Sequence, residues 1–279
     1  MSDDSSFSAR GRSGALANFE ASFDEIVAPI ASQAIAEVAI RLAPLGSMDE
    51  TALSKLEAAV FHDARERRIA VVDAMRAAGL TERDIVDRYI PEVADRLGEH
   101  WLNDTMTFAD VTIGAARLQA MVRDVAADAA EPTLHADAAS ALVVVRRGET
   151  HTLGAVVLAT QLRRCGVAVR LSIGHPDEDV AAEARYGDYN LIAISASAGE
   201  NLDSLRSLVK RLRKAAGGSS KIAVGGSVMD LELDLEEALH VDFATKNAVD
   251  ALRRCDVGVS TTRLHSERFL GVRDKASLR

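Results

Sequence analysis

The sequence predicts an α/β fold in which a helical bundle precedes a doubly wound parallel sheet. The first part of the chain is rich in alanine and repeats apolar residues at intervals of three and four, as amphipathic helices do. After Pro132 the pattern changes to short apolar runs that alternate with helical segments, which is typical of parallel strands buried on both faces. A length of 279 residues also favours two domains.

Composition predicts where the domains begin and end. Residues 1–18 are rich in Ser, Gly, Asp and Arg and are expected to form a disordered tail, because they cannot bury enough apolar surface to offset the entropy of ordering. Residues 19–130 are expected to form a bundle of about four or five helices, and residues 138–256 the sheet domain. Residues 131–137 are predicted to be a linker and the polar, basic residues 257–279 a C-terminal tail.

The individual elements can be placed more closely. Turn-forming residues predict breaks in the bundle near 46–49, 79–82 and 103–105. Apolar runs predict strands at 141–145, 167–171, 191–195 and 221–224. Helices are predicted at 152–165, 178–185, 202–215 and 232–239, with glycines 166, 217 and 218 as helix stops.

The charge balance disfavours unaided binding to nucleic acid. Acidic residues outnumber basic ones by 42 to 33, so the formal charge is −9 and the surface as a whole repels phosphate backbones. A basic cluster on one predicted helix, residues 210–214, is interpreted as a solvated face, which leaves DNA contact indirect or weak. The chain carries no run of about 18 apolar residues, and Cys165 and Cys255 have no disulfide or metal spacing, so a cytoplasmic protein away from the membrane is expected.

The ligand of an open parallel sheet binds beyond the carboxyl ends of the strands. No glycine-rich phosphate motif follows the first predicted strand, which argues against a dinucleotide or a nucleoside triphosphate. His151 lies there instead, with Glu149 two residues before it and Gly154 three residues after it. An imidazole can bind a transition metal through one nitrogen while the other donates to a carboxylate. The residues alone leave open a histidine that only decorates the start of a helix.

Three motifs follow three of the predicted strands in order: residues 149–154, Ser195-Ala196-Ser197 and Gly225-Gly226. They resemble the pattern DxHxxG, then SxL, then GG, of the cobalamin-binding family of methionine synthase, corrinoid methyl carriers and cobalamin photoreceptors. The resemblance implies a flavodoxin-like cobalamin-binding domain, with His151 as the lower axial ligand of cobalt and Glu149 as its partner.

The resemblance also implies roles for the second and third motifs. Ser195 would donate a hydrogen bond to the buried nucleotide tail of the cofactor, and Gly225 and Gly226 would provide closely approaching backbone. Glu149 stands where the pattern has Asp and Ser197 where it has Leu. These two departures predict an altered or looser pocket for the tail.

The predicted bundle resembles the helical cap that covers the upper face of a corrin ring in this family. The resemblance is carried by residues 89–91, Leu97-Gly98, Trp101 and Phe108, and it implies that Trp101 lies over the ring. Judged on its own, a single tryptophan in an aromatic-poor chain would be a core residue.

The cap also indicates a kind of function. Photoreceptor caps carry a Glu-His pair about ten residues after the tryptophan, where this chain has Asp110-Val111-Thr112. Residues 108–114, 117–119 and 195–199 instead resemble the AerR/PpaA antirepressors of purple photosynthetic bacteria. That resemblance implies a non-enzymatic, light- or redox-responsive transcriptional regulator that binds cobalamin, in its hydroxo or aquo form, and acts on a partner repressor of the PpsR/CrtJ type.

Two alternatives remain open at this point. A corrinoid carrier protein of a methyltransferase system would use the same histidine. A haem-binding sensor of the same fold would also use it, because histidine ligates either metal.

Overall fold

The computed structural model describes residues 48–127 and 138–255. The predicted tails at 1–18 and 257–279, the linker at 131–137 and the part of the predicted bundle before residue 48 lie outside the described residues. Among the described helices, none has the length and apolarity needed to cross a bilayer.

The cap, as we name the helical residues 50–127, has the predicted helical character. Its elements are α1 (Glu50–Val60), α2 (Arg65–Ala77), α3 (Glu82–Asp84), a π-helical turn (Ile85–Tyr89), α4 (Ile90–Leu102) and α5 (Phe108–Ala127). The predicted breaks near 79–82 and 103–105 are confirmed. The break between α1 and α2 was not predicted, because residues 61–64 contain neither glycine nor proline.

Two of the cap helices start with the same reciprocal hydrogen bonds. Thr81 accepts from the backbone N–H of Asp84 at 3.1 Å, and the Asp84 carboxylate accepts from the backbone N–H of Thr81. Thr107 and Asp110 repeat this capping box at the start of α5. The side chains satisfy backbone donors that have no partner inside the helix, so they fix where each helix begins.

The second domain is a five-stranded parallel sheet in the order β2-β1-β3-β4-β5. Its strands are β1 (Ser140–Val145), β2 (Ala168–Ile173), β3 (Leu191–Ser195), β4 (Lys221–Gly225) and β5 (Phe243–Ala244). Its helices are α6 (Leu153–Arg164), α7 (Asp177–Tyr186), α8 (Leu202–Ala215), α9 (Leu235–Leu239) and α10 (Ala248–Arg254), with a 3₁₀ turn at Ser227–Asp230. The chain leaves β1 toward β2 and then returns to the other side of β1 as β3, so the strand order reverses there.

The sheet separates two apolar cores, because successive side chains of a strand point to opposite faces. On one face, alternate residues of β1, β3 and β4 pack against α7, α8 and α9; examples are Val144, Ile194 and Val224. On the other face, Val143 and Ala193 belong to a core shared with α6 and α10. Burial on both faces is what the apolar runs of the sequence predicted.

Several predicted boundaries differ from the structure by one to three residues, and local hydrogen bonding explains two of the differences. Strand β2 starts at Ala168 rather than at residue 167, since the Val167 N–H still bonds the Leu162 carbonyl at the end of α6. Helix α9 starts at Leu235 rather than at residue 232, because the Asp234 carboxylate accepts from the Glu237 N–H and caps the helix there.

The cap contacts the sheet domain at both ends of α6. Gln119 of α5 donates a hydrogen bond to the Thr152 hydroxyl, beside the start of α6. At the other end, Arg164 pairs with Asp87 in the π-helical turn. The cap therefore rests on the helix that begins next to His151.

Candidate functional site

The predicted site lies at the carboxyl edge of the sheet. Strands β1 and β3 are hydrogen-bonded neighbours, so the loops that follow them, residues 146–152 and 196–201, start side by side. The loop after β4 begins beside the loop after β3, because Ser195 pairs with Gly225. The fold thus brings together the three motifs that the sequence singled out.

Glu149 holds His151 in one orientation. Its Oε1 atom lies 2.6 Å from both the backbone N and the ring Nδ1 of His151. When Nδ1–H donates to this carboxylate, the ring Nε2 keeps its lone pair and is available to a metal. The side chain of His151 is 74% exposed and that of Glu149 only 5%. A buried carboxylate therefore orients an imidazole that solvent can reach.

The pKa of Glu149 reflects this arrangement. Burial raises the pKa, but hydrogen bonds from the Ser197 hydroxyl and from the backbone and ring of His151 outweigh it, and the pKa falls below its ordinary value. Glu149 is therefore ionised at neutral pH, as an acceptor for the Nδ1–H group must be.

Ser197 has a role that the sequence did not predict. Its hydroxyl donates to the second carboxylate oxygen of Glu149 at 2.5 Å, across 48 residues of sequence. From the sequence, Ser197 was interpreted only as a departure from the family pattern. The altered pocket for the cofactor's tail stays a prediction. Ser197, Glu149 and His151 form a continuous hydrogen-bonded chain, which we name the histidine relay.

Gly154 leaves space beside the histidine relay. Gly154 is the second residue of α6, and a Cβ placed on it would meet only the Ser195 hydroxyl, at 4.0 Å. Ser195 itself is almost fully buried. A ligand that approaches the first turn of α6 would find backbone on one side and the Ser195 hydroxyl on the other.

Gly225 and Gly226 are positions where backbones come close. A Cβ on Gly225 would lie 2.6 Å from the Thr245 carbonyl oxygen, and one on Gly226 would lie 2.3 Å from the Ala196 carbonyl oxygen. Gly226 also has a φ of +100°, which disfavours any other residue. The close contacts at these two glycines are with the chain's own loops, and an approach of their backbone to a cofactor stays a prediction.

Trp101 is a surface residue of the cap. It lies one residue before the end of α4, with 50% of its surface exposed. A pocket of about 390 Å³ at the turn between α4 and α5 is lined by Trp101, Met106 and Phe108 together with polar residues of the turn. The core alternative for this tryptophan is thus wrong, whereas its placement over a ring stays a prediction.

The residues that resemble an antirepressor motif have structural contacts of their own. Asp110 belongs to the capping box of α5. Gly114 allows α4 and α5 to pack closely, since a Cβ there would lie 2.7 Å from Leu97. Arg117 donates to the Val60 carbonyl at the end of α1 and to Asp63 in the turn that follows. Gln119 is the residue that reaches Thr152.

Arg146 and Glu200 lie at the same edge of the sheet and were not predicted from the sequence. They form an ion pair with an N–O distance of 3.0 Å between the loops that follow β1 and β3, the same two loops that the histidine relay joins. A charged residue directly after a buried strand, at the ligand-binding edge, was the signal that could have pointed to Arg146.

The described residues fit a metal that brings its own equatorial ligands. Within 48–127 and 138–255, no group of three or more His, Cys, Asp or Glu side chains is arranged to hold a metal ion. A metal that is already held in a macrocycle can be bound by one protein donor. The accessible imidazole of His151 supplies the donor, and the open first turn of α6 at Gly154 leaves space beside it.

Comparison with known proteins agrees with this geometry. The family model described as the B12 binding domain matches residues 139–253. A relative from Rhodobacter capsulatus, described as an uncharacterized 20.5 kDa protein in the bchF-crtJ intergenic region, is 30% identical over 176 residues. The match covers 63% of this chain and 92% of the relative.

A solved structure supports the overall fold. The monomethylamine corrinoid protein of Methanosarcina barkeri superposes with a TM-score of 0.61, covering 74% of this chain and 97% of that protein. Its sequence is 18% identical, so the likeness concerns the fold alone. That fold is the predicted one, a helical part followed by a flavodoxin-like α/β domain.

Proposed function

Because the chain belongs to the family of proteins with a B12-binding domain, we propose that it carries cobalamin on His151 and acts as a regulator of transcription, not as an enzyme. The observation that carries the proposal is the histidine relay, in which a buried, ionised Glu149 orients an exposed imidazole. The cofactor form expected is hydroxo- or aquocobalamin, and the expected location is the cytoplasm.

Different residues would hold different parts of the cofactor. His151 would give Nε2 to the cobalt, while Glu149 and Ser197 keep the ring in place. Ser195 would donate to the nucleotide tail, and Gly154 would leave room for it beside α6. Gly225 and Gly226 would keep the adjoining loop close to the sheet. The bound corrin would supply absorption of visible light and an exchangeable upper ligand.

The cap offers a route by which the state of the cofactor could reach another protein. Gln119 ties α5 to Thr152, the neighbour of His151. From Gln119 the same helix rises about 16 Å to Phe108, beside Trp101, at 1.5 Å per residue. A movement of Trp101 that displaces Phe108 would therefore act on α5, which is already attached through Gln119 to the loop of the proposed metal ligand.

The genomic position of a relative supports the choice of partner. The Rhodobacter capsulatus relative is named for the bchF-crtJ intergenic region, and CrtJ is the type of repressor that the sequence resemblance implies as partner. An indirect action on DNA agrees with the charges on α8, where Arg211 and Arg213 pair with Glu178 and Asp242. We therefore propose that the protein acts on transcription through a repressor of the PpsR/CrtJ type.

The test measures binding of this repressor to the full chain loaded with hydroxocobalamin, in darkness and under visible light. We expect the dissociation constant to differ by about tenfold or more between the two states, which corresponds to about 1.4 kcal/mol of coupling. Trp101→Ala should reduce the difference, whereas Tyr186→Ala, an exposed aromatic residue on α7, should leave it unchanged. Equal binding in dark and light would contradict a light-responsive regulator.

A corrinoid carrier is the second candidate, because the histidine relay would serve methyl transfer equally well. A carrier predicts that the reduced, loaded protein accepts a methyl group and passes it to a separate methyltransferase in repeated turnovers. Turnover together with equal binding of the repressor in dark and light would favour the carrier over the regulator.

A further inference from the structure

The ion pair of Arg146 and Glu200 lies in an unusual position for charged side chains. Arg146 directly follows β1, and Glu200 lies in the loop after β3. The pair therefore spans the point between β1 and β3 where the strand order reverses. The Arg146 side chain is 18% exposed and that of Glu200 only 9%. Both charges are thus largely removed from water at the edge where the fold binds its ligand.

The pair leaves one buried donor atom and one buried acceptor atom without a partner in the described part of the chain. Nη1 of Arg146 donates to Oε1 of Glu200, but Nε of Arg146 and Oε2 of Glu200 are buried without a hydrogen-bond partner in the described part of the chain. A buried polar atom that lacks a partner costs about 1–3 kcal/mol. Two such atoms in one contact weaken the case for a purely stabilising ion pair.

The surroundings of Glu200 add to this cost. Burial raises the pKa of its carboxyl group, and the negative charges of Glu149 and Asp177 raise it further, although Arg146 lowers it. The carboxylate therefore has an unfavourable environment that Arg146 relieves only in part. Such sites are common where a protein binds a ligand.

The unused atoms define the chemistry of a complementary group. Nε–H of Arg146 requires an acceptor, and Oε2 of Glu200 requires a donor. A primary carboxamide offers both, a carbonyl oxygen and an N–H, on one edge. An ionised carboxylate could accept from Arg146, but it would face the negative charge of Glu200 without a proton to share.

On the basis of the proposed corrinoid function, we propose that Arg146 and Glu200 recognise a primary carboxamide on the rim of the corrinoid and discriminate against a carboxylate there. The rim of cobalamin carries such amides as side chains, whereas the edge of haem carries carboxylates. The pair is then a specificity determinant that selects the cofactor at a point away from the metal.

The experiment compares hydroxocobalamin with its monocarboxylates, each with one propionamide hydrolysed to the acid, by absorbance titration of the full chain at neutral pH. We expect at least one monocarboxylate to bind the unmodified protein about tenfold or more weakly than cobalamin. Glu200→Gln should reduce that difference to about threefold or less, because the glutamine amide can donate to a carboxylate. Glu178→Gln, in an exposed pair with Arg211, is the matched control and should retain it.

A second variant separates recognition from folding. In Arg146→Met/Glu200→Leu, apolar side chains replace the pair, so the cofactor-free protein should unfold at the same urea concentration as the parent or a higher one. Its affinity for cobalamin should fall about tenfold. A double variant that loses stability but keeps full affinity would assign the pair to structure and overturn the proposal.

The outcomes of the titration also separate this inference from the function on which it rests. Equal binding of cobalamin and all monocarboxylates by the unmodified protein would overturn recognition of the amide while leaving corrinoid binding intact. A difference that Glu200→Gln does not reduce would overturn it as well. Failure to bind either cobalamin or a monocarboxylate would instead overturn the proposed function.

Discussion

The cap and the sheet domain differ in how far their apolar side chains are buried. In the sheet domain, the central strands β1 and β3 are buried almost throughout, and their residues supply both cores. The cap buries one set of apolar residues but exposes another at its α4–α5 end: Trp101, Leu102, Phe108 and Ile113. A cluster of exposed apolar side chains marks a surface that meets something else.

In both regions, carboxylates accept hydrogen bonds from backbone N–H groups, but in different places. In the sheet domain, Asp242 accepts from the backbone N–H of Ile222 and from Arg213, and Glu149 accepts from the backbone of His151. In the cap, the carboxylates of Asp84 and Asp110 accept from backbone N–H groups at the starts of α3 and α5. We infer that the sheet domain fixes the metal ligand, whereas the cap provides the surface that responds to what is bound.

The largest expected effect concerns the backbone of the sheet domain. Gly226→Ala would place a Cβ against the Ala196 carbonyl at a φ of +100°, so we expect a loss of about 3–5 kcal/mol in the free energy of unfolding. Urea titration followed by circular dichroism measures it. Gly217→Ala is the control, because its φ is also positive but no atom lies within 4 Å, and it should cost only about 1 kcal/mol. Equal losses would refute the close contact.

The cap offers a pair of glycines with opposite expected signs. Gly114→Ala would bring a Cβ to 2.7 Å from buried Leu97, so the free energy of unfolding should fall by about 1–2 kcal/mol. Gly98→Ala on α4 meets nothing within 4 Å and should instead stabilise the helix by about 0.5–1 kcal/mol. If both substitutions shift the urea midpoint in the same direction, the packing of α4 against α5 is not as described.

The smallest expected effect depends on pH. Burial raises the pKa of Asp242, but hydrogen bonds from Ile222 N–H and Arg213 outweigh it and lower the pKa below its ordinary value. The stabilisation is therefore complete above the unfolded-state pKa of about 3.9 and is lost as pH falls through the folded value. Asp242→Asn should cost about 1 kcal/mol at pH 7 and progressively less below pH 4.

Asp63 in the cap is the counterpart to Asp242. It pairs with Arg117 but is 99% exposed, so water screens the pair. Urea unfolding of Asp63→Asn between pH 3 and 7 should match the parent protein. A larger effect at Asp63 than at Asp242 would reverse the contrast between the two regions.

The sequence predicted the fold well, because apolar runs and helix stops are local signals. Strand β3 and helix α8 have the predicted bounds. Glu149 and His151 could be linked from sequence for the same reason, since they are two residues apart. Their hydrogen bond needs only a turn of the chain, which the tight spacing makes possible.

The contacts that were missed join residues far apart in sequence. Ser197 reaches Glu149 across 48 residues, and Arg146 reaches Glu200 across 54. Each depends on the neighbouring positions of β1 and β3, which the order of strands along the chain does not determine. Composition alone favoured a buried Trp101. Its exposure depends on where α4 ends and on what packs there, which composition does not determine.

The most direct test of the account is the absorption spectrum of the full chain reconstituted with hydroxocobalamin, compared with His151→Ala and His175→Ala. His175 is the matched control, since it is an exposed histidine after β2 at the same edge of the sheet. We predict a corrinoid spectrum that His151→Ala changes and His175→Ala does not. A spectrum unaffected by His151→Ala would contradict the axial assignment, and binding of haem in place of the corrinoid would contradict the choice of cofactor.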